Sequence, residues 1–240
     1  MPIDQYYTEA NNQITFTRQQ ASDFAKLVAD DFNPLHNVDA KRFCVPGDLL
    51  FAIILTRYGV TNDMRFSFSG MVTEDVALTL PTAAPRLSFA GNNGKEYVSI
   101  ELLGQHCRND QFINALTSSY VTFSGHTFPH ILIPLMQEKN VMINPERPMV
   151  MYQSMLIDLE RMDTTSVELE LDRARTVLEV DGKRGNVCLA FNLISAGEII
   201  GRGEKHMVVS GLRTFEQAVV DQVITDYDQI RKNHKMIASA

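Results

Sequence analysis

The chain has 240 residues, of which 45% are apolar and 21% are charged, and its formal net charge is −7. These values predict a folded protein with a sizeable core, arranged as one large domain or two domains of about 120 residues. The negative charge argues against a protein that neutralises the phosphates of nucleic acid. No apolar run approaches the roughly 20 residues that a membrane-spanning helix needs. The polar N-terminus has no signal-peptide pattern, so we expect a cytoplasmic protein without a membrane span.

Three cysteines, Cys44, Cys107 and Cys188, are widely spaced along the chain. Their odd number and their separation are typical of core thiols in a reducing compartment. The sequence contains no CxxC and no Cys/His cluster with the spacing of metal ligands. We therefore expect no metal site and no cofactor.

The first reactive side chains follow a predicted helix. Residues 13–17 alternate like a short strand, and Thr17 then has the position of an N-cap for a helix over about 18–30. Pro34 disfavours the helical conformation at the residue before it, so this helix must end near Phe32. The next stretch, Asp31–His36 (DFNPLH), is therefore predicted to be a tight loop that holds an acid, an amide and an imidazole within six residues.

A second helix is predicted over about 47–59. Its central stretch, LLFAIIL, is apolar on every side, which is typical of a buried helix. Asp48 lies in the first turn, where a carboxylate complements the helix dipole, and Gly59 suits the position just after the last turn. Because Gly47 has no side chain, a ligand oxygen could closely approach the free N–H groups at the start of this helix.

Strand-like stretches follow the second helix. The Asn-Gly turn at 92–94 indicates that one of them is a hairpin of two strands. The order of helix, loop, buried helix and antiparallel meander requires a sheet that covers the apolar helix. The predicted strands are 65–70, 76–82, 86–103 (divided at the turn) and 112–125.

The second half is predicted to repeat the first. Residues 94–103 resemble 182–193, and 118–125 resemble 204–211, at an offset close to 88 residues, which indicates an internal duplication. This divides the chain into a first repeat (1–125), a connector (126–147) and a degenerate second repeat (148–240). The elements expected in the second repeat are a helix over about 149–162, strands near 165–172, 176–181, 186–195 and 198–211, and a final amphipathic helix over about 214–232.

DFNPLH, followed by the helix that starts Gly47-Asp48-Leu49-Leu50, resembles the MaoC-like, (R)-specific enoyl-CoA hydratases. Residues 65–80 are also similar to the next two strands of that family, and the resemblance covers roughly residues 12–125. It implies an α+β hotdog fold, in which an antiparallel sheet wraps around a central apolar helix. The second, degenerate repeat implies a double hotdog with such a helix in each repeat.

The resemblance also implies a reaction. In that family the Asp and the His of the motif activate a water for addition to a 2-enoyl thioester. Carried over, Asp31 and His36 are the catalytic pair of a 2,3-hydratase or dehydratase, and the backbone N–H of Gly47 polarises the thioester carbonyl. Asn33 would brace the loop, and Asp48 would line the substrate site. The implied partner is an acyl-CoA or acyl-carrier-protein thioester, and both monomer and homodimer stay open.

Two other functions stay open. The stretch between His36 and Gly47 is several residues shorter than in the family, and Asp48 replaces a methionine, which puts a carboxylate near the developing negative charge. These departures favour a non-catalytic hotdog protein that binds acyl thioesters or acts as an interaction or sensor module. The third function is a thioesterase on the same fold, with Asp48 as the acid of the central helix.

Overall fold

The computed structural model describes residues 2–238, which contain five α-helices and thirteen strands. Three shorter helical turns accompany them: two 3-10 turns, Asp4–Tyr6 and Pro34–His36, and a π turn, Phe24–Val28. The α-helices are α1 (Arg18–Asp23), α2 (Gly47–Tyr58), α3 (Asp110–Gly125), α4 (Leu132–Glu138) and α5 (Gln217–Ala238). The strands are β1 (Thr8–Ala10), β2 (Gln13–Thr15), β3 (Val60–Phe68), β4 (Leu78–Thr79), β5 (Arg86–Ala90), β6 (Glu96–Cys107), β7 (Val141–Met142), β8 (Val150–Leu159), β9 (Glu168–Leu171), β10 (Val177–Asp181), β11 (Arg184–Ser195), β12 (Glu198–Ser210) and β13 (Arg213–Thr214).

Helix α2 is the centre of the fold. Every residue from Asp48 to Leu55 is buried, and for Leu49–Leu55 the uniformly apolar sequence predicts this. The ring of Phe51 lies 5.2 Å from that of Phe66 on β3 and 4.4 Å from that of Tyr120 on α3. Gly59 ends the helix with φ of +85°, a conformation that glycine adopts without strain. The chain therefore has the predicted α+β hotdog fold, in which an antiparallel sheet covers a buried helix.

The main sheet has eight strands and joins the two halves of the chain. Its order is β10-β11-β12-β8-β3-β6-β5, and β9 also pairs with β11. Strands β3 and β8 meet antiparallel in the middle, where Arg65 faces Leu156. A separate three-stranded sheet is formed by β1, β2 and β4. Because β3 and β8 share one ladder, the halves form a continuous surface on which the helices pack.

Several local predictions are confirmed. Thr17 caps α1 with a reciprocal capping box to Gln20, and the helical path continues through the π turn to Val28. The stretch 86–103 forms β5 and β6 with a turn between them, in which Gly94 has φ of +75°. The final helix begins three residues later than predicted and extends to Ala238.

The prediction of a strand over 112–125 is wrong, because these residues form α3. Its β-branched and aromatic residues favour strands, but Phe112, Leu116 and Tyr120 repeat every four residues and are all buried. Asn109 caps the helix by accepting hydrogen bonds from the N–H groups of Gln111 and Phe112. The helical period of the apolar residues, not their strand propensity, decides the structure here.

The prediction of a helix over 149–162 is also wrong, because these residues contain β8. Met155, Ile157 and Leu159 are buried while Leu156 and Asp158 are exposed, which is the alternation of a strand. A strand therefore replaces the helix expected over 149–162.

Only one of the two sequence matches between the halves is also a match in secondary structure. Residues 118–125 lie in α3 and residues 204–211 lie almost wholly in β12, so that pair does not match in structure. Residues 94–103 and 182–193 both lie mostly in long strands, β6 and β11. The predicted connector, 126–147, contains α4 and β7, which belong to a second apolar cluster with β10, β11 and β12. The division of the chain at residues 125 and 148 stays a prediction.

No helix in the described part of the chain is both long enough and apolar enough to cross a bilayer. Even α5, with 22 residues, carries charged side chains along its length.

Gly125, the last residue of α3, lies close to the backbone of another segment, so we expect its substitution to destabilise the fold. A Cβ atom at Gly125 would overlap the carbonyl oxygen of Ala29, where the chain leaves the π turn. We expect Gly125→Ala to lower the free energy of unfolding by about 2 kcal/mol or more, because backbone atoms must move to relieve the overlap. Urea unfolding measures this change. Ser118→Ala, on the exposed side of the same helix, is the matched control, and an equal loss in both variants would contradict the contact as the cause.

Candidate active site

The DFNPLH loop is fixed by its own backbone. Asp30 has φ of +53° and ends the helical path, and the N–H of Asp31 donates to the carbonyl of Ala25 at 2.8 Å. The carboxylate of Asp31 accepts the N–H of Asn33 at 2.8 Å, and the Asn33 amide oxygen in turn accepts the N–H of Leu35 at 3.1 Å. Asn33 therefore caps the turn Pro34–His36, which places residues 31 and 36 on the same side of the loop.

Asp31 and His36 face each other. The distance from Asp31 Oδ2 to His36 Nε2 is 3.7 Å, too long for a direct hydrogen bond but close enough for both groups to contact one water or substrate atom. His36 Nδ1 lies 2.7 Å from the carbonyl oxygen of Cys44. Because a carbonyl only accepts, Nδ1 carries the proton, and in the neutral ring Nε2 presents its lone pair toward Asp31.

The environment of Asp31 favours its protonated form. Burial raises the pKa of this carboxyl, and the Asp48 carboxylate raises it further. His36, the N–H of Asn33 and the ammonium of Lys205 act in the opposite direction, but the net shift is upward. In this pair, the Asp31 carboxyl holds its proton more tightly than usual, and the His36 Nε2 atom can accept a proton.

The short segment after His36 is firmly held. The N–H of Cys44 donates to the carbonyl of Leu35 at 3.0 Å, and Phe43 and Val45 are buried. The guanidinium of Arg18 donates to the carbonyls of Val38 at 3.0 Å and Ala40 at 2.9 Å. The shortened loop therefore does not collapse into the site; it forms one wall of it.

A cavity of about 530 Å³ opens between this loop and the start of α2. Asp31, Asn33, His36, Gly47 and Asp48 all line it, so the structure brings the predicted site residues into one place. The opposite wall comes from the second half of the chain, through β8, β12 and α5. Most of the lining is apolar, which suits an acyl chain.

The cavity has a second cluster of polar side chains, which the sequence does not predict. Asp48 Oδ2 accepts a hydrogen bond from the Ser124 hydroxyl at 2.5 Å, and the same hydroxyl oxygen accepts one from Lys205 Nζ. Lys205 Nζ lies 3.9 Å from Asp48 Oδ1. All three residues are buried, and they come from α2, α3 and β12. Asp48 is thus paired with a cation, a contact that links positions more than 150 residues apart and leaves no local pattern.

Tyr120, which is buried, and Tyr152, which is partly buried, continue this group. The ring of Tyr152 lies under Lys205 Nζ, 4.4 Å from the ring centroid, and its hydroxyl hydrogen-bonds that of Tyr120. Burial raises the pKa of both phenols well above the usual value, so both keep their protons. A Cβ atom at Gly47 would lie 2.7 Å from the Tyr152 ring, which explains why glycine occupies this position.

Helix α5 covers the loop from the C-terminal end of the chain. The hydroxyl of Tyr227 lies 3.4 Å from both the N–H of Phe32 and the carbonyl of Asp30. Arg231 forms an ion pair with the Asp30 carboxylate. The ring of Phe32 packs edge-on against Tyr227, with 6.0 Å between centroids. The loop is therefore held between α5 and the main body of the protein.

One cluster in the described chain has the side chains of a metal site. Cys188, Glu204 and His206 offer ligand atoms within 4.8 Å of one another, because β11 and β12 place Cys188 opposite His206. Glu204 already pairs with Arg175 and with His206. Lys205, between the two, points into the cavity, so this cluster lies on the other face of the sheet and takes no part in the site.

The comparisons with known proteins place the chain in one family. The family model described as DUF3581, "Protein of unknown function", matches residues 1–218. Among curated proteins, no sequence matches the chain.

Solved structures that match have a low sequence identity. A conserved protein of unknown function with hot dog fold from Alicyclobacillus acidocaldarius is 8% identical, with a TM-score of 0.45, over 88% of this chain and 98% of that one. The acyl-CoA thioesterase II TesB2 from Mycobacterium marinum is 8% identical, with a TM-score of 0.44, over 89% and 99%. An N-terminal dehydratase from the difficidin assembly line is 11% identical, with a TM-score of 0.37, over 79% and 90%.

The raised pKa of Asp31 predicts a pH-dependent stability. Above the unfolded pKa of about 3.9, the native state binds more protons than the unfolded chain, so the free energy of unfolding falls as pH rises through the raised folded pKa. Asp31→Asn removes this loss, and we expect the variant to gain stability relative to the wild type as pH increases. Urea titrations at a series of pH values measure the difference. Asp39→Asn, which removes an exposed carboxylate nearby, is the control; a similar pH-dependent gain there would refute the assignment to Asp31.

Proposed function

This chain belongs to the DUF3581 family, and we propose that it acts on acyl thioesters as a 2,3-hydratase or dehydratase. The observation that carries the proposal is the Asp31–His36 pair, whose facing atoms are 3.7 Å apart at the wall of a largely apolar cavity. That gap suits a water held between an acid and a base. The same two residues belong to the sequence motif that resembles MaoC-like hydratases.

The upward shift of the Asp31 pKa and the hydrogen bond at His36 Nδ1, which leaves Nε2 as the free nitrogen, favour a division of roles. His36 Nε2 accepts a proton from the water while the water oxygen bonds to C3 of the enoyl thioester. The Asp31 carboxyl, whose pKa is raised, gives its proton to C2. The proton on His36 then returns to Asp31 through a water, so that one H and one OH have been added in total. The reverse sequence eliminates water from a 3-hydroxyacyl thioester.

The start of α2 provides hydrogen-bond donors for the thioester oxygen of the substrate. The first N–H groups of a helix have no acceptor within the helix, and they point out along its axis. At Gly47 these groups lie at the cavity, where they can donate to the thioester oxygen as negative charge develops on it. Asn33 supports the reaction indirectly, because its cap of the Pro34–His36 turn fixes the position of His36.

A second candidate function is thioester hydrolysis. The observation that favours it is the Asp48 carboxylate, which lies at the start of the central helix and faces the same cavity. Asp48 Oδ1 is buried and has no hydrogen-bond partner among the described residues, so this oxygen keeps an unused lone pair for a water that enters the site. The two reactions differ in product, because only hydrolysis releases free CoA.

The remaining expectations stay predictions. They are an acyl-CoA or acyl-carrier-protein thioester as the substrate, a cytoplasmic location, and either a monomer or a homodimer. The sensor or binding function is the outcome in which an acyl thioester binds and no product forms.

The proposal predicts the effect of removing either member of the pair. We expect Asp31→Asn and His36→Ala each to lower kcat for hydration of crotonyl-CoA by about 10²- to 10⁴-fold, because each removes one proton transfer. Loss of the enoyl thioester absorbance measures hydration, and a thiol reagent measures CoA release in the same samples. Removing an exposed histidine, His130→Ala, is the matched control and should leave the rate unchanged.

Three results would contradict the hydratase. Unchanged hydration in both variants would exclude the pair as the catalytic residues. CoA release without hydration, lost in Asp48→Asn, would instead establish the thioesterase. Binding of crotonyl-CoA with neither product would establish the binding function.

A further inference from the structure

Lys205 is a buried cation at the wall of the cavity. Its side chain is only 7% exposed, although lysine is rarely buried unless it is paired. It comes from β12, in the second half of the chain, and reaches the start of α2, in the first half. This position places a full positive charge beside the helix end where we have placed the thioester oxygen.

The ammonium group has unused hydrogen-bonding capacity. Of its three N–H bonds, one donates to Ser124 Oγ. Asp48 Oδ1, at 3.9 Å, is beyond hydrogen-bond distance, and the Tyr152 ring lies on another side. Among the described side chains, Ser124 Oγ is the one atom to which the Lys205 ammonium group donates a hydrogen bond. An N–H donor that faces a cavity and lacks an acceptor is suited to a ligand oxygen.

The charge of Lys205 also offsets the repulsion between the Asp48 carboxylate and negative charge on a thioester oxygen. A lone carboxylate in the first turn of α2 would oppose negative charge on a thioester oxygen. Lys205, linked to that carboxylate through Ser124, offsets its charge within a few ångströms. Because the charges of Lys205 and Asp48 offset each other, the partial positive charge of the N–H groups at the start of α2 remains. This charge favours a negatively charged ligand oxygen at this end of the cavity.

We propose that Lys205 donates a hydrogen bond to the carbonyl oxygen of the bound thioester, and that Ser124 positions its ammonium group for that contact. The inference rests on the proposed function only in that an acyl thioester occupies the cavity. Hydration and hydrolysis both place negative charge on that oxygen, so Lys205 has the same role in either reaction. The alternative is a purely structural cation that neutralises Asp48 and never touches the substrate.

Carbonyl polarisation distinguishes these two roles. A chromophoric 2-enoyl thioester, cinnamoyl-CoA, absorbs at longer wavelength when its carbonyl oxygen receives a strong hydrogen bond or faces a cation. We expect its ultraviolet spectrum to shift to the red on binding to the wild type, to lose most of the shift in Lys205→Met, and to keep part of it in Lys205→Arg. Lys183→Met, which removes an exposed lysine, is the matched control and should keep the full shift.

Kinetics give a second readout. For crotonyl-CoA, or for whichever thioester reaction the wild type performs, we expect Lys205→Met to lower kcat by about 10²- to 10³-fold with a much smaller change in KM. A donor that acts in the transition state affects kcat in this way, whereas a cation that only maintains the cavity would change substrate binding first.

Lys205→Met removes the cation beside the buried Asp48 carboxylate. The unpaired negative charge could prevent folding. The double variant Lys205→Met/Asp48→Asn removes both charges, and we expect it to fold and still to lack the red shift. A wild-type shift in either folded variant would overturn the proposal.

The same measurements separate this proposal from the reaction assigned to the pair. His36→Ala should keep the red shift, since His36 is not the carbonyl donor. If His36→Ala also kept full hydration, the pair would be wrongly assigned while Lys205 would retain its role. If cinnamoyl-CoA failed to bind the wild type, the proposal for Lys205 would fall together with the thioester substrate.

Discussion

The burial of residues 48–55, the body of α2, is the constraint on which the rest of the structure depends. A helix that is apolar on every side cannot lie on a surface, so sheet and helices must cover it all round. The same burial fixes where its first turn ends, because Gly47 packs against the Tyr152 ring with no room for a side chain. The cavity, the pair of Asp31 and His36, and the charged group around Asp48 are all arranged about that one helix end.

A buried charge at this end requires compensation from distant parts of the chain. Transferring a carboxylate from water into a protein interior costs several kcal/mol unless a partner offsets the loss of hydration. Asp48 meets this requirement through Ser124 on α3 and Lys205 on β12, which brings the two halves of the molecule together at one point. The site is thus a joint product of both halves, although the recognisable motif lies wholly in the first.

Local patterns in the sequence predicted the parts of the fold that depend on local physics. The Thr17 cap, the burial of α2, the glycine at its end and the turn before Gly94 follow from residues within one or two turns of chain. The pair in the DFNPLH loop could be placed for the same reason. In α3 and β8 the local signals conflict. The residues of α3 favour strands but repeat with a helical period, and the apolar residues of β8 fit a helical face as well as the alternation of a strand. Lys205, Ser124 and the Cys188–His206 pairing across β11 and β12 could not be foreseen, because their partners are chosen by the tertiary fold.

The cover that α5 gives to the DFNPLH loop has a consequence for the order in which the protein is made. Arg231 and Asp30 are separated by 201 positions, so the loop is synthesised near the beginning and its cover near the end. At the 5–20 residues that a ribosome adds per second, the interval is roughly 10–40 s. During that time Phe32, which ends fully buried, lacks its contact with Tyr227 and is available to other apolar surfaces. The nascent chain is therefore open to misfolding or to chaperone capture at the same loop that later lines the candidate site.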